Sequence, residues 1–104
     1  MDNLEIFRNG GLNRFEMIHD GRAIGILEYN EHGHEVEMYR VRVSDQYSGR
    51  GLAATLTRAA LRDLRTNHET VIPRSTFVRS YIREHPEFQD LVPPEVRQDY
   101  GITP

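Results

Sequence analysis

The chain contains no cysteine. Disulfides, thiolate nucleophiles and thiolate metal sites are excluded together, and a cytoplasmic setting is the expectation. Lysine is missing as well, since all 13 basic residues are arginine. No Schiff-base lysine can form, and a Walker-type phosphate loop, which needs its lysine, is ruled out. No window approaches the roughly 18 apolar residues of a membrane span. The opening "MDNLEIFRNG" lacks a basic region followed by an apolar one, so no secretory signal is expected. A net charge of −3 argues against a general nucleic-acid binder. What is present is 104 residues with 38% hydrophobic and 28% charged content. That composition suits one small globular domain with a modest core.

In "NRFEMIHDGRAIGILEYN" two apolar alternations flank Asp20-Gly21. Asp-Gly is a strong hairpin signal because both turn positions need positive φ. Phe15 and Met17 alternate before it; Ile24 and Ile26, or else Ala23, Leu27 and Tyr29, alternate after it. A second turn, around Glu31 to Gly33, leads into "HEVEMYRVRV", giving an antiparallel three-stranded meander. The third strand breaks phase: Val36 and Met38 have one parity, Val41 and Val43 the other. Either both faces are buried, or a bulge near Tyr39-Arg40 resets the alternation.

From Gly51 the period changes. Leu52, Leu56, Ala60 and Leu64 are spaced by four, with Ala53 and Leu61 beside them, which predicts an amphipathic helix ending near Asn67-His68. "TVIP", Thr70 to Pro73, reads as a short strand. Strand, helix, strand in this order implies parallel pairing. Thr76 can cap a second helix, which stops at His85-Pro86 because a residue before proline avoids helical angles. The reading is a single domain over residues 1–92 and a loose tail over 93–104.

The chemistry centres on "SGRGLA" between strand and helix. Gly49 and Gly51 either start an ordinary helix or bring the backbone close to a phosphate at the helix N-terminus. The Rossmann pattern does not fit, since Ala54 stands where its third glycine is needed. His32 and His34 in "EHGHE" read as a solvated turn and no metal site is expected. Arg50, Arg74, Arg79 and Arg83 read as surface charge or as phosphate contacts, and His85 as a cation at a helix C-terminus.

"VSDQYSGRGLAATLTRAAL", placed after a meander and before "TVIP", resembles the acetyl-CoA loop of the GNAT acetyltransferase superfamily, Arg/Gln-x-x-Gly-x-Gly/Ala. "STFVRSYIREHPEFQDLV" is similar to the closing signature of a short, single-domain branch of that superfamily. The resemblance covers Asn13 to Val92 and implies a minimal GNAT fold of the α/β class: three antiparallel strands, helix, parallel strand, helix. It implies acetyl-CoA as cosubstrate and an amine as acceptor, here a large or exposed one such as an amine on a protein, with no nucleic acid or membrane partner. Backbone groups of Tyr39, Arg40, Val41, Arg42 and Val43 would face the pantetheine arm. Ser48, Gly49, Arg50, Gly51, Leu52, Ala53, Ala54 and Thr55 would form the loop and cradle for the pyrophosphate.

Two departures from the pattern matter. Ser48 stands where the superfamily prefers Arg or Gln, and Ser75 where this branch often has cysteine, which leaves direct transfer without a thiol relay. Tyr81 matches a tyrosine near the CoA sulfur in many relatives and is the candidate general acid. Glu28 and Glu37 are the candidate bases. A non-catalytic CoA-binding or interaction module on the same scaffold is the alternative.

Overall fold

The computed structural model describes residues 3–102. One sheet holds β1 (Leu4–Asn9), β2 (Arg14–His19), β3 (Arg22–His32), β4 (Glu35–Val43) and β5 (Thr70–Pro73), in chain order. The first four strands are antiparallel, and β5 joins β4 in parallel. Helix α1 (Leu52–Thr66) links β4 to β5, and α2 (Thr76–Glu84) follows. This is the mixed α/β arrangement expected.

The hairpin forms as its dipeptide requires. Asp20 and Gly21 have φ of 51° and 76°, and His19 faces Arg22 across the turn. A strand not anticipated, β1, extends the meander to four. Its inward positions are Leu4, Ile6 and Arg8, so the apolar alternation is too short to read as a strand. Arg8 lies over the rings of Phe15 and Tyr29, 5.3 and 4.9 Å from their centroids. It donates to Tyr29 Oη (2.9 Å), to both Glu69 carboxylate oxygens (2.6 and 3.1 Å) and to Asp63 (3.1 Å). Burial alone would lower the guanidinium pKa; hydrogen bonds to Glu69, Tyr29 and Asp63 more than reverse this and hold it above the ordinary arginine value.

The phase break in β4 is a bulge. Glu28 faces Arg40 and Tyr29 faces Met38, so Tyr39 has no partner on β3. Val36 and Met38 are fully buried, Tyr39 and Arg40 are both exposed, and Val41 and Val43 return to the core side. One extra residue explains the parity change. A second irregularity lies in β3: Met17 faces Gly25 and Ile18 faces Ala23, which leaves Ile24 out of register. Ile24, Leu27 and Tyr29 therefore all enter the core, a set that neither alternation contains.

The apolar stripe of α1, from Leu52 to Leu64, is buried against the sheet. Thr57 joins it because its hydroxyl donates to the Ala53 carbonyl at 2.8 Å. The cap of α2 is Ser75, one residue earlier than the sequence suggests. Its Oγ accepts from the Val78 amide at 3.3 Å, and the helix stops at His85. Residues 93–102 do not trail loosely. Helix α3 (Pro94–Arg97) follows Pro93, Arg83 donates to the Tyr100 carbonyl at 2.8 Å, and Ile102 is only 1% exposed.

Candidate functional site

The bulge positions the site. β5 pairs with β4 only from Glu35 to Met38, whose partner is Pro73. Proline has no amide proton to continue the ladder. The Ser75 amide donates to the Met38 carbonyl at 2.9 Å, and beyond that bond the two strands part. From Arg40 to Val43, β4 is paired to β3 on one side. Among the described residues no strand pairs with its other side, so backbone donors and acceptors line a gap.

The chain leaves β4 through one 3-10 turn, Asp45–Tyr47, and then reaches the two glycines. Gly49 and Gly51 have φ of 77° and 71°, a region that L side chains rarely adopt. A Cβ at either would meet nothing within 4 Å, so the loop faces open space. No side chain caps α1. The amides of Leu52, Ala53 and Ala54 thus lack the cap that an ordinary helix start would supply. Thr55 is different: its amide and hydroxyl both donate to the Gly51 carbonyl at 3.2 Å.

Two cavities flank this junction. One of about 740 Å³ lies over the ends of β3 and β4, lined by Val41, Arg42 and Val43 together with Ala23 to Ile26 and Ser44-Asp45. The other, about 230 Å³, lies between α1 and α2 and is lined by Ala54, Arg58, Phe77, Ser80, Tyr81, Glu84 and His85. It brings Ala54 and Tyr81, 27 positions apart in the chain, to one surface. Arg58 Nε donates to the Tyr81 hydroxyl oxygen at 3.1 Å. The acceptor side of that hydroxyl is occupied, which leaves its proton free to be donated. The Tyr81 ring stacks on His85, with centroids 3.8 Å apart and planes 15° from parallel. His85 Nδ1 lies 2.7 Å from the Tyr81 carbonyl. A carbonyl can only accept, so Nδ1 carries a proton.

A model of the GCN5-related N-acetyl-transferases matches residues 14–91, most of the chain. The chain belongs to the GCN5-related N-acetyltransferase family. Among solved structures it is similar to the NMR structure of a GCN5-like protein from Staphylococcus aureus. The two are 24% identical with a TM-score of 0.67, over 89% of this chain and 91% of that one. It also resembles the ribosomal-protein-S18-alanine N-acetyltransferase of Escherichia coli. There the identity is 12% and the TM-score 0.52, over 68% of this chain and 41% of the larger one. Both likenesses concern the fold. No curated protein matches the chain.

In this family member the two candidate carboxylates stand apart from the cavities. Arg40 Nε donates to Glu28 at 2.6 Å. Glu37 accepts from Asn30 at 3.2 Å and from Arg74. Hydrogen bonds from Asn30 and Arg74 hold its carboxyl below the usual range. Neither residue lines either cavity. Among the described residues no cluster of three or more metal-ligating side chains occurs, and no helix is long and apolar enough to cross a membrane.

Arg58, Phe77 and Tyr47 were not singled out in the sequence. Phe77 is 40% exposed despite its size, and both Phe77 and Arg58 lie one or two turns from residues that were. The face of α2 that meets α1 depends on how the helices pack, which a sequence pattern leaves open.

Proposed function

We propose that the protein binds acetyl-CoA and transfers its acetyl group to a primary amine. The observation that carries this is the parting of β4 from β5 at the Tyr39 bulge, followed along the chain by the uncapped glycine loop. An extended pantetheine arm can continue the sheet by bonding the open β4 edge. The residues suit the rest of the ligand. Amides of Leu52, Ala53 and Ala54 offer an anion site for the pyrophosphate, and the exposed Phe77 ring supplies an apolar wall.

The reaction joins the amine nitrogen to the thioester carbonyl carbon and breaks the C–S bond. Backbone donors on β4 would polarise the carbonyl. Tyr81 would give its proton to the departing sulfur, with Arg58 holding the hydroxyl in place. The amine gives up its proton to water, because Glu37 is poorly basic and Glu28 is tied to Arg40. Most of the rate advantage is then positioning.

Titration with acetyl-CoA followed by amide NMR tests the site. Shifts concentrated in residues 39–43 and 49–55 are expected, and no shifts at millimolar ligand would overturn the reading. The pairing of both carboxylates favours a second reading, a CoA-binding module without transfer. Steady release of thiol from acetyl-CoA with an amine acceptor separates the two.

A further inference from the structure

The loop between β4 and α1 is fastened by side chains that the transfer reaction does not use. Tyr47 closes the 3-10 turn and packs, half-buried, against the core. Its hydroxyl lies 3.2 Å from His19 Nδ1 at the end of β2, and the two rings meet edge-on, 5.7 Å apart at 75°. On the loop side, the Arg50 guanidinium lies over the Tyr47 ring, 5.3 Å from its centroid. Arg50 is flanked by the two left-handed glycines, the most permissive backbone in the loop. It is also the loop's one cationic residue. A cation on so permissive a backbone gains a fixed place from a cation–π contact with an anchored ring.

We infer that Tyr47 is a positioning residue for ligand phosphate: it seats Arg50 beside the cradle, where the guanidinium can meet phosphate charge. This rests on the acetyl-CoA reading above. The His19–Tyr47 contact fixes the seat to the sheet, and the seat directs the guanidinium.

The test compares CoA with pantetheine, which lacks the phosphates, as ligands of the full chain. Arg50→Gln is expected to weaken CoA about tenfold, the scale of one lost charged hydrogen bond. Tyr47→Leu keeps an apolar side chain of moderate size but removes the aromatic face, and should weaken CoA to a similar degree. The double variant should be no weaker than either single, since both remove the same contact. Tyr47→Phe keeps the ring and should retain most of the affinity. In all variants pantetheine binding, read by amide NMR, should be unchanged, and the CoA affinity of Tyr47→Leu should depend less on salt than that of the wild type. Equal losses for CoA and pantetheine would mean a collapsed loop and overturn the inference. So would a Tyr47→Leu protein that binds CoA like the wild type. Wild-type protein that binds neither ligand would instead overturn the acetyl-CoA reading on which the inference stands.

Discussion

Around Arg8 of β1, side chains from β2, β3, α1 and Glu69 just before β5 close on one guanidinium, whereas from Tyr39 to Val43 the backbone of β4 is left open on one side. The first region is saturated: Tyr29, Asp63, Glu69 and two aromatic rings all meet Arg8. The second is unsaturated by construction, through a bulge, a proline and two left-handed glycines. A sheet that splits cannot be held together at the split. The brace and the gap draw on different residues, and the two regions can be perturbed separately.

The largest effect on stability should come from the braced region. Arg8→Met leaves Asp63 and Glu69 without their cation and should cost about 2–3 kcal/mol, less than for a fully buried pair because the cluster is partly solvated. Urea denaturation measures this. The protein that remains folded should keep its acetyl-CoA shifts; losing them would show that the two regions are coupled. Next, Gly51→Val forces a β-branched residue into a left-handed conformation, at a cost of about 1–2 kcal/mol. Here the acetyl-CoA shifts should vanish although the protein is more stable than Arg8→Met. A Gly51→Val protein that binds normally would remove the loop from the site.

Tyr81→Phe should change stability by about 1 kcal/mol or less, since it removes one hydrogen bond to a charged but exposed partner. Its effect belongs to turnover, expected to fall on the order of 10²-fold with acetyl-CoA affinity retained. A fall in affinity without a fall in turnover would assign Tyr81 to packing.

The smallest effect concerns acid. Hydrogen bonds from Arg14 lower the Glu16 carboxyl, those from Asn30 and Arg74 lower Glu37, and those from Arg65 lower Asp90. A carboxylate lowered in the folded state contributes stability that is fully present above its ordinary pKa, around 4. That stability is lost as pH falls through the depressed value. Urea midpoints should therefore hold steady from pH 7 to about 5 and drop below about 4. Glu37→Gln should flatten this drop slightly, and an unchanged profile would show that the Arg74 pair contributes little in solution.

The local rules were legible where short-range chemistry decides. Asp20-Gly21 dictated its turn, the spacing Leu52, Leu56, Ala60, Leu64 dictated a helix, and the parity break around Tyr39 narrowed β4 to two options, of which the structure has the bulge. β1 was not legible, because an arginine occupies one of its inward positions and only a cluster assembled from distant elements makes that favourable. Ile24 was misread because its bulge depends on how β2 and β3 come into register. The folded-back end was missed because Ile102 is a single apolar residue whose burial depends on the surface that receives it. Within the candidate site, the glycines and Tyr81 could be proposed from the chain, but the surroundings of Glu28 and Glu37 could not be judged. Only the fold shows that arginines already hold them.

By itself the sequence determined the Asp20-Gly21 hairpin, the order of elements from β2 to α2 and the phase break in β4, because φ preferences and side-chain periodicity act between near neighbours, and its motifs pointed to the family. Tertiary structure alone decided that Pro73 lies beside Met38, that Arg58 reaches Tyr81, and that Tyr47 stands between His19 and Arg50. Those contacts join residues far apart in the chain, and they exist only once the core has fixed how the sheet and helices meet.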